Sequence, residues 1–95
     1  MNFDDFVTSL NGPEPPENLP LLAVAMWWDG KGKWNRAHEI AQDIDTPEGS
    51  WVHAYLHRKE GDEGNAGYWY QQAGKPHSRL PLEAEWDEIS RALIA

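Results

Sequence analysis

Shifted by 29 residues against itself, the sequence lays Leu21–Pro47 over Ser50–Pro76. Ala25 then falls on Ala54, Gly32 on Gly61, Ala37 on Ala66, Gln42 on Gln71 and Pro47 on Pro76. Apart from the glutamines, these are residues that helical hairpins constrain. The glycines fall between the two helices of each unit, where the turn needs a residue without a Cβ. The alanines let paired helices approach, and the prolines close each unit. The offset therefore predicts two successive helical hairpins.

Hydrophobic spacing extends that prediction to the whole chain. Phe3, Phe6, Val7 and Leu10 form one face of a short helix, with Asn2 as its N-cap and Asn11-Gly12 as its stop. Gly12–Pro20 carries four of the seven prolines and reads as a polyproline-like connector laid over the body. The apolar run Leu19–Trp28 suits a buried helix or strand by periodicity, and its alanine and methionine favour helix. Helical spacing continues over Lys33–Asp45, ended by Thr46-Pro47, and over Ser50–Glu60, with Ser50 as N-cap. Asn65–Ala73 follows, and Pro81–Leu93 begins with Pro81 at the first helical position. No hairpin signal for strands is present. The expectation is an all-α fold forming a single domain over 1–95, with repeat 1 at about 21–47, repeat 2 at about 50–76 and a capping helix at about 81–94.

The segments "GKGKWNRAHEIAQDIDTP" and "EGDEGNAGYWYQQAGKP" resemble the tetratricopeptide repeat. Each has Gly followed by Lys or Asp at the turn, Ala early in the second helix and Pro at the end. The second also has Tyr70 in the usual aromatic position. The period is 29 rather than about 34, and the aromatic position near the end of the first helix holds Trp28 in one unit but His57 in the other. The resemblance covers roughly residues 21–76 and implies that Pro81–Leu93 is a terminal capping helix. It puts His53 and His57 against the second helix of the hairpin, and Trp51, Tyr55 and Arg58 on a concave face. "HAYLHRKEGDEGNAGYWY" with "EAEWDEI" is also similar to a group of short bacterial proteins of uncharacterised function, a likeness that implies no activity.

Charge and composition narrow the function classes. Sixteen acids against eight bases give a net charge of −8 in 95 residues. Such a chain lacks the basic face that nucleic-acid or anionic-lipid binding requires. The absence of cysteine removes disulfides, thiolate nucleophiles and sulfur-ligated metal sites. No apolar run approaches the ~20 residues of a membrane span, and Met1–Leu10 has neither the basic start nor the apolar stretch of a signal peptide. A cytoplasmic protein with no nucleic-acid or membrane partner is expected.

Few segments suggest catalysis. His38-Glu39-Ile40-Ala41-Gln42 departs from the zinc-protease HExxH pattern at its second histidine, replaced by Gln42. Asp43–Gly49 begins like a calcium loop, but Glu48 stands where glycine is required. No nucleophile elbow or phosphate loop is present, and no cofactor is expected. His53 and His57 lie one turn apart on a helix, with Glu60 on the same side. With His38 or Asp43 from a neighbouring helix they could form a nitrogen and oxygen site for a divalent metal. The alternative is a set of half-buried structural donors. A wheel anchored at Trp51 sets both histidines clear of the apolar side, whereas the repeat alignment packs them against the next helix.

The six tryptophans supply the remaining signal. Neighbours in Trp27-Trp28 and Tyr68-Trp69-Tyr70 point about 100° apart on a helix, so they cannot share one face. Either the connector and C-terminal segment cover the surplus indoles, or Trp51, Tyr55, Arg58, Met26 and Trp27 line a groove. Such a groove would bind a protein or peptide, or a second copy of the chain. The leading expectation is a small helical-repeat interaction module. The alternative is a divalent-metal-binding protein or metal-dependent enzyme using His53, His57, Glu60 and His38.

Overall fold

A computed structural model describes residues 1–95. Six helices and no strand form the chain: α1 (Phe3–Ser9), α2 (Leu21–Gly30), α3 (Trp34–Gln42), α4 (Pro47–Glu60), α5 (Glu63–Ala73) and α6 (Leu82–Ile94). The fold is all-α, and no helix is long and apolar enough to cross a membrane. The most extensive helix–helix contacts join α4 to α5 and α2 to α3. Each pair turns through a glycine in the left-handed region, Gly32 at φ 78° and Gly61 at φ 92°. A Cβ is costly in that conformation, so both repeat-related glycines have a physical cause.

Helix boundaries follow capping chemistry, and here four expectations need correction. Thr46-Pro47 does not end the third helix, which stops at Gln42; it starts the fourth. Thr46 Oγ1 accepts from the Gly49 amide at 3.0 Å, and Pro47 takes the first helical position, where an N–H would have no helical partner. Ser50 is consequently not an N-cap but a buried residue inside α4. Pro81 precedes α6 as its cap residue rather than occupying the first helical position. Asp62 caps α5 by accepting from the Asn65 amide at 3.1 Å, which moves that helix start back to Glu63.

α4 is the axis of the molecule. Every residue from Gly49 to His57 is buried, because α2, α3, α5 and α6 all pack against this helix. This explains why the wheel anchored at Trp51 misplaced the histidines: a helix enclosed all round has no polar face to find. Trp34 Nε1 donates to the Leu56 carbonyl at 2.7 Å and ties α3 to α4. Trp86 Nε1 donates to the Met26 carbonyl at 3.0 Å and ties α6 to α2.

The N-terminal segment folds back onto this body. Phe6 is fully buried and stacks on Trp86 with ring centroids 5.7 Å apart, while Phe3 meets the same indole edge-on at 6.1 Å. Ser9 Oγ accepts from Trp27 Nε1 at 3.0 Å. Lys31 Nζ donates to the carbonyls of Leu10 and Gly12 at 2.7 and 3.0 Å, fixing the start of the proline-rich connector to the end of α2.

Candidate metal centre

Three imidazoles converge between α3 and α4. His53 and His57, one turn apart on α4, stack with centroids 4.7 Å apart. His38 reaches them from α3, its Nε2 lying 3.0 Å from His53 Nε2. One ring nitrogen from each of the three histidines lies within 4.8 Å of the others. The hydrogen bond of Trp34 to Leu56 sets the distance between the helices, and Trp34 also stacks on His38, at 4.8 Å and 10°. Trp69 of α5 covers the other side, stacking on His53 at 4.1 Å and 21°. Two indoles thus clamp the histidines in place.

The electrostatics keep two of these rings neutral. Burial lowers the pKa of His38, and the neighbouring His57 lowers it further against the opposing pull of Glu60 and Glu39. Burial likewise pushes His53 down to about 4, assisted by His38 and His57. A neutral imidazole has a free lone pair, the form in which histidine binds metal. His57 Nδ1 lies 2.6 Å from Glu60 Oε2. In the neutral ring, Nδ1 donating to that carboxylate leaves Nε2 as the acceptor, and no protein hydrogen bond engages Nε2. A carboxylate holding one ring nitrogen so that the other can ligate is the usual outer arrangement of histidine metal sites.

The sequence-predicted ligands therefore divide in a defined way. His38, His53 and His57 come together, with Glu60 behind His57 rather than beside the other two. Asp43 and Gln42 are exposed and take no part. A second trio of His57, Glu60 and Asp62 is close enough to ligate, but Asp62 already accepts from the Asn65 backbone amide at Oδ1 and from its side-chain amide at Oδ2. None of the main surface clefts is lined by His38, His53 or His57.

The proposed groove residues are not arranged around an open groove. Met26 and Trp27 are fully buried, and Trp51 and Tyr55 lie in the same core beneath α6. Their polar atoms are bonded inside the chain. Trp51 Nε1 donates to Glu85 Oε2 at 3.3 Å, and Tyr55 donates to Asp29 Oδ2 at 2.8 Å. Arg58 donates from Nε to Glu85 Oε1 at 3.1 Å and from Nη2 to the Leu80 carbonyl at 2.8 Å. The Tyr70 hydroxyl completes the Glu85 network at 2.6 and 2.7 Å from its two oxygens.

Sequence reasoning missed Glu85 and Asp29 as core residues. Glu85 is fully buried, although an acid in the first turn of a helix is ordinarily solvated. A signal was present: Leu82, Glu85, Trp86 and Ile89 keep the i, i+3, i+4, i+7 spacing, so Glu85 falls on the apolar stripe. Asp29 does the same after Leu22, Ala25 and Met26. Burial, then Asp29, raises the Tyr55 pKa above its usual range; burial and Glu85 do so for Tyr70. Both phenols remain donors. Burial alone would lower the Arg58 pKa, but the contact with Glu85 outweighs it and raises it. No protein-family model, curated protein or solved structure matches the chain.

Proposed function

We propose that the chain is a metal-binding protein whose His38, His53 and His57 hold a late first-row divalent ion such as Zn²⁺. The observation carrying this reading is the convergence of three ring nitrogens within 4.8 Å, two of them 3.0 Å apart. With Zn–N distances of about 2.0–2.1 Å, the edge of a tetrahedron is about 3.3 Å, so small ring rotations close the set around an ion. All-imidazole ligation selects Zn²⁺, Cu²⁺, Ni²⁺ or Co²⁺ over Mg²⁺ and Ca²⁺, which require oxygen. Three protein ligands leave a further position for water or an outside donor. Binding rather than turnover is proposed, because no substrate-sized cleft adjoins the histidines.

Recognition of a protein or peptide through Trp51, Tyr55, Arg58, Met26 and Trp27 is the less favoured proposal. It would need α6 to leave and the Glu85 bonds to be replaced by the partner.

The test is a titration of chelator-treated protein with Zn²⁺, Ni²⁺, Cu²⁺ and, as a control, Mg²⁺. Saturation at a hundredfold over the dissociation constant adds about 2.7 kcal/mol, raising the melting midpoint by about 10 °C or more in a domain of this size. Cu²⁺ should also quench emission from Trp34 and Trp69, and both effects should vanish in His38→Ala. Equal, negligible shifts with all four ions would reduce the cluster to a hydrogen-bonded structural feature.

A further inference from the structure

The surroundings of the three imidazoles are neutral and buried. His53 and His57 are 7% and 8% exposed, and His38 is half-buried. Indole faces cover two of the rings, Trp34 on His38 and Trp69 on His53. Every converging donor is a ring nitrogen, and no carboxylate joins the set. Glu60 is the one acid bonded to these rings, and it holds Nδ1 of His57 from an exposed position. Glu39 and Asp62 are exposed as well, where water and salt screen them. A cation between α3 and α4 therefore meets three neutral donors, with a single carboxylate one bond further out.

We propose that this site accepts divalent ions but prefers monovalent copper, Cu⁺, on the ring nitrogens of His38, His53 and His57. The inference rests on the reading of the cluster as a metal site and names its ion. Imidazole suits copper, and two properties then separate Cu⁺ from the divalent ions. The first is charge. The cost of placing an ion in a low-dielectric interior grows with the square of its charge, so a divalent ion is penalised about four times as heavily as a monovalent one of equal size. No anionic ligand inside the site offsets that difference. The second is coordination number. Zn²⁺ completes a tetrahedron and Cu²⁺ a tetragonal plane, each with a fourth donor, whereas closed-shell Cu⁺ is satisfied by three. A divalent ion must therefore draw water or an anion in among buried rings, and no main cleft reaches them. Nε2 of His57, on a side chain nine-tenths buried and engaged by no protein hydrogen bond, is the donor with no other role. The chain has no thiol to reduce copper, so the ion enters already as Cu⁺.

Anaerobic titration of chelator-treated protein tests the proposal. Cu⁺ is measured in competition with bicinchoninate, Cu²⁺ in competition with nitrilotriacetate, and Zn²⁺ by calorimetry. One Cu⁺ per chain is expected, bound at least about a hundredfold more tightly than Cu²⁺. That ratio lifts the reduction potential of bound copper by about 120 mV over the free ions. His38→Asp puts an anionic oxygen on the half-buried side of the site and should cut the ratio about tenfold or more. If this variant does not fold, the ratio in the unmodified chain decides alone. Cu²⁺ binding as tight as Cu⁺, or a ratio unchanged in His38→Asp, overturns the inference, and Zn²⁺ binding in the same series leaves the metal site itself standing. No binding of any of the three ions ends both.

Discussion

The two sides of α4 bury polar groups by opposite means. Toward α6, Arg58, Tyr70 and Trp51 surround Glu85, and Tyr55 and Lys59 surround Asp29; donors and carboxylate oxygens are matched. Toward α3, three imidazoles meet with two hydrogen bonds among them and Glu60, and none engages the Nε2 of His57. The matched side behaves as a fastening, since its charges have satisfied each other. The imidazole side keeps lone pairs on its neutral rings that no donor of the chain takes up. Capacity for an outside ligand lies in unmatched acceptors rather than in buried polarity as such.

The sharpest way to break this contrast is Glu85→Ala. Loss of one partner from a buried charge network costs about 3–5 kcal/mol, because Arg58, Tyr70 and Trp51 are left without their acceptor. Urea denaturation should show most of the domain's stability gone; a loss below about 1 kcal/mol would mean the α6 side is no fastening. Next in size is acid. His53 has a folded pKa depressed to about 4 against an ordinary 6.5, so the unfolded chain takes up its proton first. Its contribution is fully present above pH 6.5 and is lost as pH falls through about 4, to the extent of about 3 kcal/mol in the metal-free protein. His38, shifted the same way, adds to the loss. Melting midpoints that stay flat between pH 7 and 4 would contradict the burial of neutral imidazoles.

Smaller effects sharpen the comparison. Glu60→Ala should weaken Zn²⁺ binding about 10–100-fold by freeing the His57 ring. Its effect on metal-free stability should be slight, and calorimetry on both forms separates the two. Gly61→Val serves as the even-handed control: placing a side chain at φ 92° costs about 1–2 kcal/mol and should disturb both sides of α4 alike. Smallest is Trp34→Phe, which removes the bond to the Leu56 carbonyl while keeping the stack on His38. A loss of about 1 kcal/mol is expected, with the metal shift largely preserved.

Much of the framework was legible from spacing alone. The apolar stripe of α6, the helix in Leu19–Trp28 and the glycine turns at Gly32 and Gly61 are local consequences of periodicity and backbone sterics. The helix starts were less legible, because Thr46-Pro47 can end one helix or begin another until the cap bond to Gly49 decides. Of the site, the sequence showed that His53 and His57 share a face. It could name His38 only as one of two partners.

What the sequence determined by itself is an acidic, cysteine-free, all-helical chain with glycine turns at Gly32 and Gly61, since each of those properties is read within a turn or two of backbone. The tertiary structure alone decided that α4 is enclosed on all sides. That enclosure turned Trp51, Tyr55, Met26 and Trp27 from candidate groove residues into core. It also drew Glu85 and Asp29 inside and brought His38 to His53. The physical reason is that burial and lone-pair matching depend on which helices meet, and residues 15 to 60 positions apart meet only after the chain has packed.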